Sequence, residues 1–115
     1  MTIERFEIGP RMSQAVAHNG IVYLAGQVAA DTTTDVKGQT QQILRQIDEL
    51  LALAGSDKSK LLSATVYLAD MAHFGAMNVA WEAWVDPANP PARATVEARL
   101  AAPDYRVEIA AIAAR

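Results

Sequence analysis

The sequence predicts an α+β fold in which two helices lie on one face of a six-stranded sheet. Two apolar stripes at helical spacing support this, one at Ile43, Ile47, Leu50, Leu51 and Ala54, the other at Phe74, Met77, Trp81 and Trp84. Strand-like runs fill the rest: three before the first stripe, one between the two, and two after the second. The order is therefore βββαβαββ. At 115 residues the chain is a single domain, 1–115, long enough for a modest core.

The elements follow in order. Ile3 to Ile8 reads as a short strand stopped by Gly9-Pro10, and Ser13 to His18 as a second. Asn19-Gly20 is a hairpin signal. Ile21 to Ala25 is apolar on both faces, which places it in the middle of the sheet. Asp31 to Asp35 is a polar loop before a helix from Val36 to Ala54, ended by Gly55. Leu61 to Leu68 is a strand with Leu62, Ala64, Val66 and Leu68 on one face. Asp70 can cap a second helix from Met71 to about Val85, with Pro87 beyond its end. After Pro90-Pro91 comes a strictly alternating run to Leu100. It places Arg93, Thr95, Glu97 and Arg99 on one face. Arg106 to Ile112 is the last strand.

Two helices cover only one face. The other still carries Val, Ile, Ala and Leu on several strands, a larger apolar patch than monomers normally expose. A homo-oligomer that buries it is expected.

Composition excludes several classes. The net charge of −3 argues against a nucleic-acid partner. With no cysteine, neither a disulfide nor a thiolate nucleophile is possible, which fits a cytoplasmic location. No apolar run reaches the roughly 20 residues of a membrane span, and no signal segment is evident. His18 and His73 are too few and too isolated for a zinc site, so no metal is expected.

The chemistry concentrates near the C-terminus. An arginine behind a rigid Pro-Pro suits fixed capture of a carboxylate, since a guanidinium offers two parallel donors. The plainer alternative for Arg93 is a surface strand arginine paired with Glu97 or Glu108. Glu108, on the last strand, is a candidate acid/base group, or simply a solvated edge glutamate. Gly26 follows a buried strand and lets backbone approach a ligand, or marks a bulge. Asn78 sits at the edge of the second helical stripe and needs partners. It is expected to brace the arginine strand or to touch a ligand.

These residues, in order, resemble the RidA family (YjgF/YER057c/UK114). The resemblance runs through Ile8-Gly9-Pro10, Ser13-Gln14-Ala15-Val16, Gly26-Gln27-Val28, Asn78, Pro91-Ala92-Arg93, Val96-Glu97, Val107-Glu108-Ile109, Ala111-Ile112-Ala113 and Arg115. It implies a chorismate-mutase-like fold and a homotrimer with sites between subunits. It implies hydrolysis of reactive 2-imino or enamino acids, of the 2-aminoacrylate type, to 2-keto acids and ammonia, without a metal or organic cofactor. By the same resemblance Arg93 binds the substrate carboxylate and Glu108 handles water. Main-chain groups at Gly26 contact substrate, and Thr95 stands where many relatives have cysteine. The chain departs from the family at Gly9-Pro10-Arg11-Met12-Ser13, where relatives have Gly-Pro-Tyr directly before Ser. Arg11 in place of the pocket tyrosine could bring a second cation and favour a dicarboxylate. Three other readings remain open at this stage: a small-carboxylate binding module, a nucleic-acid protein, and a pathway-specific deaminase acting on an aminomuconate-type product.

Overall fold

A computed structural model describes residues 2–115. Six strands form one mixed sheet: β1 (Glu4–Ile8), β2 (Ser13–His18), β3 (Ile21–Leu24), β4 (Leu61–Leu68), β5 (Ala92–Glu97) and β6 (Val107–Ala114). Their order across the sheet is β1-β2-β3-β6-β4-β5. Only β4 and β5 pair in parallel; the other neighbours are antiparallel. Helix α1 (Val36–Leu53) joins β3 to β4, and α2 (Phe74–Trp84) joins β4 to β5. Both connections link strands that run in the same direction, and both step the same way across the sheet. The right-handed rule for such crossovers then puts both helices on one face. Among the described residues no helix is long and apolar enough to cross a membrane.

Local chemistry explains the boundaries. Asn19 and Gly20 both take positive φ, 54° and 77°, the pair that a tight hairpin requires. Asp35 caps α1 by accepting from the Gly38 amide at 2.9 Å. At its other end the Ser56 amide donates to Leu51 O at 2.7 Å, closing the turn around Gly55. Asp70 caps a short 3-10 turn, Met71–His73, rather than α2 itself, so α2 begins three residues later than its sequence pattern suggests.

The core lies between the helices and the sheet. Ile43, Leu44, Ile47 and Leu51 of α1 and Met77 of α2 pack over Val22, Val66, Leu68, Val107 and Ile109. Three expectations are corrected here. Leu62 is 48% exposed, because the β4–β6 register shifts between Leu61 and Ser63 and turns it to the opposite face. Phe74 is 41% exposed rather than part of the buried stripe. β5 ends at Glu97, so Arg99 lies beyond the strand.

The far face of the sheet carries Val16, Ile21, Tyr23, Leu62, Ala92, Ala94, Val96, Ala110 and Ile112. Tyr23, Leu62 and Val96 are exposed. This is the uncovered apolar face that the strand patterns predict.

Candidate functional site

Strand register decides where the candidate residues point. On β5, Arg93 pairs with Ala64, Thr95 with Val66 and Glu97 with Leu68. Those three partners are buried beneath the helices. Arg93, Thr95 and Glu97 therefore share a face, as their alternation predicts, and it is the helix face. On β6, Val107, Ile109, Ala111 and Ala113 are buried, so Glu108 and Ala110 leave the sheet on the opposite side. One chain thus does not bring Arg93 and Glu108 together. The ion pair considered from the sequence, Arg93 with Glu97 or Glu108, is absent; the Glu97 carboxylate instead accepts from the Met71 amide at 2.9 Å.

Arg93 is half-buried on the edge strand. Its guanidinium carbon stands 5.1 Å from the Trp81 ring centre and 5.9 Å from that of Phe74. Its Nη1 donates to Met77 Sδ at 3.9 Å. Burial lowers the pKa of Arg93, and the charge of Glu82 partly offsets this. Two residues along the strand, the Thr95 hydroxyl is buried and has no hydrogen-bond partner. Asn78 lies four residues after Phe74 and three before Trp81, on the same side of α2, and is half-buried. Its side chain makes no hydrogen bond to β5 or to any other described residue, so the expected bracing role is not seen.

Glu108 lies on the far face beside Gly26. A Cβ on Gly26 would run into the Glu108 carboxylate and stand 3.0 Å from its Cδ. The bulge reading of this glycine is the one the register supports. Tyr23 pairs with Ile112 and Gln27 bridges Ile109, so one extra residue, a bulge, falls between them. The same residue leaves room for the carboxylate. Glu108 lines a cavity of about 460 Å3 with Gly26, Tyr67, Arg99 and Ala110. The loop after β5 walls it and also lines an adjoining cavity of about 670 Å3 with Tyr105. Arg11 is exposed in the β1–β2 connection. That puts it by β1, the edge of the sheet opposite β5, so a single chain does not place it beside Arg93.

The structure also gives contacts to glutamines that the sequence assigned no role. Gln27 is only 6% exposed and donates to Gln14 Oε1 at 2.9 Å, while Gln46 donates to its Oε1 at 3.1 Å. Gln39 is fully buried. Its amide nitrogen reaches Asp104 O at 3.1 Å, and its oxygen accepts from the Arg106 amide at 3.1 Å. It thereby ties α1 to the loop that walls the Glu108 cavity. The signal was in the sequence: Gln39 falls on the α1 stripe, one turn before Ile43. The His73 Nδ1 is buried without a partner.

Comparison with known proteins bears on the family and the fold. A family profile described as "Endoribonuclease L-PSP" matches residues 2–115. A RutC family protein from Haemophilus ducreyi is 51% identical over 112 residues, covering 97% of this chain and 96% of the relative. The RutC family protein YoaB from Escherichia coli is 46% identical over 114 residues, covering 99% of each. The crystal structure of NMB1025, a YjgF family member from Neisseria meningitidis, superposes with a TM-score of 0.97 at 46% identity. That match covers 100% of this chain and 96% of the other.

Proposed function

The chain belongs to the endoribonuclease L-PSP family, also called YjgF, RidA or RutC, and on that premise we propose that it hydrolyses reactive 2-imino and enamino acids. Substrates of the 2-aminoacrylate type become 2-keto acids and ammonia. The observation that carries this reading is Arg93: a half-buried guanidinium held against Met77 and Trp81 with no carboxylate partner. Such a group is suited to one substrate carboxylate.

The chemistry needs one water and the movement of protons. The enamine tautomerises to the imine, and water adds to the imine carbon. Glu108 takes a proton from that water and gives it to nitrogen, forming a carbinolamine. It then moves the hydroxyl proton to the nitrogen, the C=O bond forms as the C–N bond breaks, and ammonia leaves the keto acid behind. The Thr95 hydroxyl, buried without a partner on the face that carries Arg93, and Asn78, which borders that face, are the proposed further polar contacts of the substrate.

Because Arg93 and Glu108 leave opposite faces, the proposed site is composite, with Arg93 from one copy and Glu108 and Gly26 from another. The uncovered apolar face supports association, and a homotrimer is the proposed assembly. Arg11 joins the cleft only where a neighbour brings its β1 edge near β5. The proposed protein acts in the cytoplasm without a nucleic-acid partner, consistent with a net charge of −3.

A coupled assay tests the reading. A pyridoxal-phosphate dehydratase makes 2-aminoacrylate from serine, semicarbazide traps the imine, and added protein diverts it to pyruvate. Glu108→Gln is expected to lose about 100-fold in diversion while still binding pyruvate. Undiminished diversion in that variant would remove Glu108 from the chemistry. Pyruvate binding by the wild type without any diversion would instead favour a carboxylate-binding module.

A further inference from the structure

A half-buried arginine ordinarily finds a carboxylate. Arg93 has a thioether and two rings instead. Met77 is fully buried, and α2 geometry sets Phe74, Met77 and Trp81 on one side at spacings of three and four. Among the described residues the one ion pair is Arg115–Glu4, so nothing neutralises Arg93 by direct contact. Glu82, one turn along α2, acts on it only through its field.

Resting on the deaminase reading above, we propose that Met77 is a positioning residue for Arg93: with Trp81 and Phe74 it fixes the guanidinium through neutral contacts, so that its whole charge is left for the carboxylate of a small 2-imino or 2-keto acid. A carboxylate at position 77 would hold the arginine more firmly but would cancel the charge that the ligand needs. A thioether is a weak, polarisable acceptor and does not. A free arginine loses about 2 kcal/mol of rotamer freedom when a ligand orders it, and a side chain already ordered avoids much of that cost. One unneutralised cation also matches one carboxylate, which favours monocarboxylates at this half of the site.

The test titrates the intact protein with pyruvate, read by tryptophan fluorescence because Trp81 adjoins the guanidinium, alongside KM and kcat from the coupled assay. Met77→Leu conserves volume and deletes only the sulfur acceptor. It is expected to raise Kd and KM about fivefold with kcat little changed, the size of one neutral hydrogen bond. Glu82→Gln, at an exposed position, is expected to tighten pyruvate binding about threefold by removing an opposing field. A purely structural role for Met77 would lower the melting temperature of Met77→Leu without moving Kd or KM. If Arg93→Ala loses pyruvate binding while Met77→Leu binds pyruvate as wild type does, the positioning role is overturned and the carboxylate-anchor reading stands. If Arg93→Ala binds pyruvate as tightly as wild type, the anchor reading fails and this inference with it.

Discussion

Arg93→Ala is expected to lower imine diversion by about 100-fold or more, the largest loss of activity of any single change in this chain. The size follows from the kind of contact. A charge-assisted pair to a carboxylate is worth about 1.5–3 kcal/mol, and partial burial places it towards the upper end. Arg93→Lys keeps the charge but not the two parallel donors, and a point charge does not fix the plane of a carboxylate. Its expected loss is about tenfold. The folded state should change much less. Alanine removes the contacts to Trp81 and Phe74, worth about 1 kcal/mol, and leaves no buried partner charge behind. Activity of both variants, compared with their melting temperatures, separates the two effects. Wild-type diversion by Arg93→Ala would sink the anchor role.

Gln39→Leu is expected to produce the largest loss of stability, about 3 kcal/mol. The side chain is fully buried, and its amide joins three segments. Its nitrogen faces the carbonyls of Thr32 and Thr34, each at 3.4 Å, and that of Asp104 at 3.1 Å, while its oxygen holds the Arg106 amide. Leucine fills the space but answers none of these groups. For a domain of this size the melting temperature should fall by roughly 10 °C or more. The loop between β5 and β6 should also open, since its tie to α1 is gone. Thermal unfolding together with hydrogen exchange at 98–106 checks both parts. A shift of only a degree or two, with unchanged exchange, would show that Gln39 is not the tie.

The sheet was legible in the sequence because its signals are local. Alternation on β5, Asn19-Gly20, and the stripe of α1 are patterns that neighbouring residues impose on one another. The patterning of Ile21 to Leu24 placed β3 centrally, where it pairs with both β2 and β6. What failed depended on partners distant in the chain. Leu62 was placed on the buried face because strict alternation cannot foresee a register shift against β6. Phe74 was counted in the core because its spacing fits, although α2 begins at that residue and leaves the ring beside Arg93. The candidate site was legible as a set of residue types and not as an arrangement. Periodicity shows which residues on β5 share a face. It does not show that β4 lies between β5 and β6, and so gives no relation between Arg93 and Glu108.

The divided placement of Arg93 and Glu108 has a genetic side. If a working cleft draws one residue from each of two copies, a chain that lacks the arginine and a chain that lacks the glutamate are each inert alone. Produced together in one cell, they assemble some clefts that join the sound half of each. Two recessive lesions in the same gene would then complement one another, and a screen that scores loss of function by allele would count them as separate functions.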